Sequence, residues 1–175
     1  VELGVNDPNR DVYFSSKGHD VPGLYSVLYS LGIVPREKFL KLRRFGGLDG
    51  HPDIATPGIE ANSGSLGMGI SKGRGIAWAK KKLQRGGQVF VMLGDGELQE
   101  GQNYEALQTT IAQGITNLTL LIDHNKVQSD KLVQEIVGLG DLPTKLRAFG
   151  WHVARCDGND LRALDQVLSE FKTIT

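Results

Sequence analysis

Two short apolar runs, each closed by a cluster of glycine and hard-oxygen side chains, constrain this chain more than any other feature. Gln88-Val-Phe-Val-Met-Leu93 leads directly into Gly94-Asp95-Gly96, and Leu118-Thr-Leu-Leu-Ile122 leads into Asp123-His124-Asn125. Near-continuous apolar runs of this length mark strands buried on both faces. Tyr104 to Gln113 lies between them with helical character, so the unit reads strand, helix, strand. A third unit follows, with a helix near Pro143 to Phe149, a strand at His152-Val-Ala-Arg-Cys156 and a helix from Asp160 to Phe171. This alternation predicts an α/β fold: a doubly wound, mostly parallel sheet with helices on both faces and right-handed crossovers. In such sheets ligands bind beyond the carboxyl ends of the strands, where both polar clusters stand.

The region upstream is less regular. Asp11-Val-Tyr-Phe-Ser15 alternates enough for a short strand, Val21 to Leu31 places Leu24, Leu28 and Leu31 on one helical face before Gly32, and Pro35 to Leu42 reads as a second helix. Residues 45–63 offer breakers and polar groups in place of periodicity, so they predict a long irregular loop, and its His51 becomes a site candidate. A helix from about Leu66 to Leu83 carries Gly67, Gly69, Gly73 and Gly75, which suit a helix that another backbone or a ligand approaches closely. The run Lys80-Lys-Lys82 reads as a solvated helix end.

Composition narrows the function classes. The chain has 175 residues with 20 Lys+Arg against 20 Asp+Glu, which leaves no footprint for a nucleic-acid partner. The single Cys156 cannot form an internal disulfide, and no apolar run approaches the roughly 20 residues of a membrane span, so a cytoplasmic setting without membrane contact is expected. The chain starts at Val1 and stops at Thr175, just after a helix, and so reads as a single domain over 1–175, incomplete at both ends.

Asp95 and Asn125 are 30 residues apart, the length of one helix crossover, and each follows a strand. On neighbouring strands the carboxylate and the amide carbonyl can converge as two hard oxygen ligands, which suits Mg²⁺, with Ca²⁺ as an alternative. Gly94 and Gly96 would let a phosphate approach main-chain N–H groups at a helix N-terminus. Taken alone, Gly-Asp-Gly also suits a plain strand-to-helix turn with Asp95 as its cap.

Gly94-Asp95-Gly96 followed by Asn125 resembles the thiamine diphosphate motif, and the longer run Gly94-Asp-Gly-Glu-Leu-Gln-Glu-Gly101 resembles transketolases in particular. Ser16-Lys-Gly-His19, Gly50-His-Pro-Asp53, Ser63-Gly-Ser-Leu-Gly-Met-Gly69 and Arg147-Ala-Phe-Gly-Trp-His152 are similar to further transketolase segments in the same order. The resemblance implies the pyrophosphate-binding domain of a thiamine diphosphate-binding fold. It implies transfer of a two-carbon ketol unit between sugar phosphates, using thiamine diphosphate and Mg²⁺. By position, Asp95, Asn125 and the Val127 carbonyl match the metal ligands. Gly94 and His19 match the diphosphate contacts, beside the Gly96 already read as phosphate-accessible, and Gly64 and Leu66 match the aminopyrimidine contacts. His51 corresponds to a histidine at the reacting carbons and, with His19, is a candidate catalytic residue. Glu100 and Glu105 correspond to acidic residues at a dimer interface.

A complete transketolase is several times longer, and its catalytic glutamate belongs to a part that this chain lacks. A carboxyl-terminal subunit or domain is therefore expected as partner, in a dimer or an α2β2 assembly. Ser65 and Asp53, where the family has proline and glutamate, suggest a divergent branch. Deoxyxylulose-phosphate synthase, a 2-oxo acid dehydrogenase component and a non-catalytic cofactor-binding module are the alternatives. Gly67-Met-Gly69 with Gly73 lacks the spacing and the preceding strand of a dinucleotide fingerprint.

Overall fold

The computed structural model describes Gly4, residues 6–171 and Ile174, so the outermost ends of the 1–175 reading lie outside the described residues. Three strands, β1 (Val12–Ser15), β2 (Val89–Gly94) and β3 (Leu118–Asp123), form a parallel sheet in the order β1-β2-β3. Their register pairs Phe14 with Val91 and Gly94 with Asp123, which aligns the carboxyl ends of all three. On one face Phe14, Val89, Val91 and Leu93 are almost sealed from solvent. On the other, Phe90 and Met92 are half-buried and Tyr13 is exposed.

The sealed face is made by α3 (Gly69–Lys82), which lies on β2 with α4 (Gly101–Ala112) beside it. A Cβ on Gly73 would come within 2.5 Å of Val91 Cγ2, and one on Gly69 within 2.3 Å of Ser16 Cβ. The helix lies this close to the sheet because those two positions carry no side chain. The expected close approach is present at Gly69 and Gly73, where the sheet is what approaches, but not at Gly75, where a Cβ would meet nothing within 4 Å. The helix begins later than the sequence suggested. Gly67, at φ +82°, forms the turn before it, a conformation a right-handed helix does not contain.

Between β1 and α3 come α1 (Val21–Ser30) and α2 (Arg36–Phe39), which pack on a second, smaller core of Val21, Tyr25, Leu28, Val34, Leu48 and Ile59. The buried face of α1 is Val21, Tyr25 and Leu28, not the expected Leu24, Leu28 and Leu31; Leu31 is 52% exposed. The large Tyr25 ring fills that core, Leu24 packs at its edge half-buried, and Leu31 is left outside. The second helix is a single turn: Phe39 stacks on Tyr29 at 4.8 Å, and the chain then bends through Arg43 at φ 58°.

After β3 a hairpin forms from β4 (Val127–Gln128) and β5 (Lys131–Leu132), followed by α5 (Val133–Val137), α6 (Leu142–Ala148) and α7 (Leu161–Phe171). The expected strand at His152–Cys156 does not form. Among the described residues it finds no strand to pair with, Val153 alone packs partly on the main core, and His152 meets the edge of Phe171 at 5.5 Å. The lysine run also needs correction. Lys81 and Lys82 are exposed, but Lys80 is buried, and its ammonium donates to the carbonyls of Pro8, Arg10 and Gly86 at 3.0, 2.8 and 2.8 Å. Burial pushes its pKa below the usual lysine value. Among the described residues no helix is long and apolar enough to cross a membrane.

Candidate functional site

The aligned strand ends bring Ser16, Gly94-Asp95 and Asp123-His124-Asn125 to one edge of the sheet. Asp95 is 2% exposed. One of its carboxylate oxygens accepts from the Gly96 N–H at 2.8 Å, and the other from the Lys126 N–H at 2.6 Å. The Asp95 N–H in turn donates to the Asp123 carbonyl at 3.1 Å. Asp95 thus ties the end of β2 to the loop that holds Asn125. It caps the short 3-10 turn Gly96–Gln99 as well, so the bland reading and the functional one describe the same side chain.

Asn125 is exposed, with its side-chain carbonyl accepting from the Val127 N–H at 2.8 Å and its amide donating to Asp123 Oδ2 at 3.0 Å. The same Asp123 oxygen pairs with the Lys17 ammonium. Val127 opens the β4–β5 hairpin, flanked by Lys126 at φ 66° and with Ser129 at φ 52° in its turn. Left-handed conformations at non-glycine residues are uncommon and collect at functional sites. Beside Gly96 the Gln128 side chain lies so near that a Cβ there would sit 2.8 Å from Cδ, and its Oε1 is buried with no donor. Gly94 is open: the nearest atom to a Cβ at that position is Lys17 Cγ, at 3.7 Å. No group of three or more His, Cys, Asp or Glu that could hold a metal ion occurs among the described residues. The hard-oxygen donors at this edge are the Asp95 carboxylate and the Asn125 side-chain carbonyl, the donor type that suits Mg²⁺ or Ca²⁺.

A second cluster is built around His51. His51, from the long irregular loop, lays its ring over two glycines: a Cβ on Gly18 or on Gly64 would each be 3.0 Å from His51 Cδ2. Gly18, at φ +72°, and Gly64, at φ +117°, adopt backbone conformations that also exclude larger residues. His51 and His19 are both placed by this turn region, His51 exposed and His19 directly following Gly18. The loop is anchored through its backbone, where the Tyr25 hydroxyl donates to the His51 carbonyl at 3.3 Å. Burial raises the Tyr25 pKa, which keeps the hydroxyl a donor; the neighbouring Thr56 hydroxyl pulls the other way, less strongly.

Leu66 is half-buried, and its carbonyl accepts from Gln102 at 3.0 Å. Glu100 and Glu105, at the start of α4 and within it, are both exposed. The sequence reading missed Glu97, 3% exposed, which lies between the two clusters. Its carboxylate accepts from the Ser16 hydroxyl, from Gly67 N–H at 2.8 Å and from Gly94 N–H at 3.3 Å. A charged residue in a strand-ending turn reads in sequence as exposed, so only its place directly after Gly-Asp-Gly hinted at more.

Residues 5–175 match the family model described as "Transketolase, thiamine diphosphate binding domain". The chain belongs to the transketolase family. It is 37% identical over 169 residues to one of the subunits of the apulose-4-phosphate transketolase of Phocaeicola vulgatus, covering 96% of this chain and 59% of that relative. It is 39% identical over 164 residues to "6-deoxy-6-sulfo-D-fructose transketolase subunit SqwG" of a Clostridium species, covering 93% of this chain and 58% of the relative. Among solved structures, transketolase from Leishmania mexicana superposes with a TM-score of 0.90 at 27% identity, over 96% of this chain and 27% of the other. The chain thus spans less than two thirds of the relatives it matches, two of which are named as subunits. The α/β fold, with its parallel sheet and flanking helices, is that of the thiamine diphosphate-binding domain.

Proposed function

We propose that the chain is the diphosphate-holding part of a transketolase that moves a two-carbon ketol unit from a ketose phosphate to an aldose phosphate, with thiamine diphosphate and Mg²⁺ bound at the strand ends. The observation that carries this reading is the link from Asp95 to the Asn125 loop at the strand ends, with His51 packed separately on Gly18 and Gly64. In it Asp95, Asn125 and the Val127 carbonyl hold the metal, and Gly94, Gly96 and His19 receive the diphosphate. Gly64 and Leu66 meet the aminopyrimidine.

The cofactor, when bound, supplies the carbanion chemistry. This chain's residues orient it and move protons. An exposed imidazole suits proton movement, because its ordinary pKa of about 6.5 lies near working pH. The His51 backbone is pinned by Tyr25 and the residue is exposed, so the ring has a fixed base and access to solvent. His19 stands on the adjoining turn.

A partner subunit or domain completes the site in this reading. Support comes from the naming of two relatives as subunits and from the share of their length that this chain spans. Glu100 and Glu105, both exposed, are the residues proposed to meet it, in a dimer or α2β2 assembly. A cytoplasmic setting fits the lone exposed cysteine, Cys156. Calorimetric titration with thiamine diphosphate and Mg²⁺, with and without the candidate partner, tests the proposal. Metal-dependent binding that strengthens with the partner is expected, and absence of binding in both arms rejects it.

A further inference from the structure

Glu97 lies among neutral donors. Neither of the two ion pairs among the described residues involves it, and its residue is 3% exposed. Burying a carboxylate without a cation is expensive unless its oxygens are well supplied with hydrogen bonds. Here the supply comes from three separate segments. Ser16 follows β1, Gly94 ends β2, and Gly67 closes the loop that begins with Gly64 and Leu66. One oxygen accepts from both Ser16 and Gly67, and the other from Gly94.

The joint is crowded on every side. Gly69 presses α3 against Ser16, leaving no room for a Cβ, and Gly67 is similarly pressed against Glu100, whose Cβ lies 2.6 Å from where a Cβ at position 67 would stand. The Glu97 backbone is fixed as well, because its carbonyl accepts from the fully buried Asn103 amide at 2.6 Å. A side chain so held cannot let one of its partners move without disturbing the others.

We infer that Glu97 is a positioning residue that locks the diphosphate end of the cofactor cleft, at Gly94, to its aminopyrimidine end, at Gly64–Gly67, before any cofactor arrives. The inference rests on the cofactor reading proposed above. It adds a residue that touches neither cofactor nor metal and acts through the loops it joins. A glutamine at this position keeps the volume but cannot satisfy the donors. If its carbonyl serves Ser16 and Gly67, its NH₂ faces the Gly94 N–H; if it flips, the NH₂ faces the Ser16 and Gly67 donors.

The test compares wild type, Glu97→Gln, Ser16→Ala and Asp95→Ala in the full-length chain with its partner, reading cofactor affinity by calorimetry and amide hydrogen exchange in the cofactor-free protein. Glu97→Gln is expected to speed exchange at Gly67 and Gly94, leave Val91 in the sheet core at its wild-type rate, and weaken thiamine diphosphate about tenfold to a hundredfold, the scale of outer-shell changes. Ser16→Ala, which removes one donor only, should shift both readouts in the same direction by less, and it decides the matter alone if Glu97→Gln does not fold. Asp95→Ala should abolish metal-dependent binding without loosening Gly67. Wild-type affinity in Glu97→Gln overturns the inference, whether or not its loops loosen, and so does acceleration spread evenly over the sheet. Failure of the wild type to bind thiamine diphosphate would instead reject the cofactor reading, and the two failures are distinct.

Discussion

The Asp95 cluster and the His51 cluster are built on opposite principles. On the Asp95 side the key carboxylate is 2% exposed, both of its oxygens accept from backbone N–H groups, and its neighbours are strand ends held in register by the sheet. On the His51 side the ring is exposed, it comes from a loop without regular structure, and the Tyr25 hydroxyl that anchors it reaches its backbone carbonyl and not its ring. In the function proposed above, the difference separates holding from reacting. A group that fixes a charged cofactor gains from burial, because low polarity strengthens its electrostatic interactions and a rigid frame sets its geometry. A group that exchanges protons needs solvent and rotational freedom, so its frame stops at the backbone.

Substitution of one residue on each side tests this separation. Asp95→Ala should give the largest effect: loss of metal-dependent cofactor binding beyond the roughly hundredfold of outer-shell changes, seen as a flat calorimetric titration. His51→Ala should leave cofactor affinity close to wild type while turnover falls about 10²- to 10⁴-fold, the usual contribution of a positioned acid or base. Steady-state kinetics beside the titration would show the split. A His51 variant that lost cofactor affinity as severely as Asp95→Ala would remove the distinction between the two sides.

The holding side was legible in the sequence because it is made of strand ends. The apolar run at β2 and the one at β3 could be read as buried strands, and their spacing placed Asp95 and Asn125 one crossover apart. The helices at α1, α4, α6 and α7 were legible from periodicity to within a few residues. What stayed hidden depends on contacts distant in sequence. Glu97 and Lys80 are charged residues that composition places at the surface, and only the three donors around the first and the three carbonyls around the second make their burial tolerable. His152–Cys156 has a strand-like pattern but no edge to pair with, and pairing cannot be read from one segment. Tyr25 went unremarked in α1 because leucine spacing is the louder signal, although a tyrosine can bury its ring and still use its hydroxyl.

Rigidity on the holding side also predicts a stability effect. Gly69→Ala places a methyl 2.3 Å from Ser16 Cβ, at the joint where α3, β1 and Glu97 meet. Neither the helix nor the strand can give way independently, so overpacking should cost about 1–3 kcal/mol in urea unfolding. At Gly75, where a Cβ would meet nothing within 4 Å, the same change should be neutral or stabilising by a few tenths, up to about 1 kcal/mol. Equal effects at the two positions would show that the contact between α3 and the sheet is not a tight one.

Tyr25→Phe should give the smallest effect and tests the reacting side most finely. The variant keeps the ring that fills the second core and removes only the donor to the His51 carbonyl. One neutral hydrogen bond is worth about 0.5–1.5 kcal/mol, so turnover should fall roughly twofold to tenfold with cofactor affinity unchanged, because the imidazole keeps its chemistry and loses only its anchor. The pH dependence of stability supplies a second readout. The Tyr25 pKa is raised above 10.0 in the folded state. Between the unfolded and folded values the folded protein therefore binds more protons than the unfolded one, and stability falls as pH rises through that window. The full contribution is present below about pH 10, the unfolded value, and is lost as pH climbs through the folded pKa. Tyr13, 40% exposed overall but with its hydroxyl partly desolvated, has its pKa pushed up to about 12 by that desolvation and the Asp20 carboxylate; it acts in the same direction, so Tyr13→Phe serves as the control. Thermal unfolding across the alkaline range should show a shallower decline in either variant, and only Tyr25→Phe should slow turnover. A Tyr25 variant with wild-type turnover would mean that the loop holds His51 without its anchor, and the reacting side would then be freer than its backbone contact suggests.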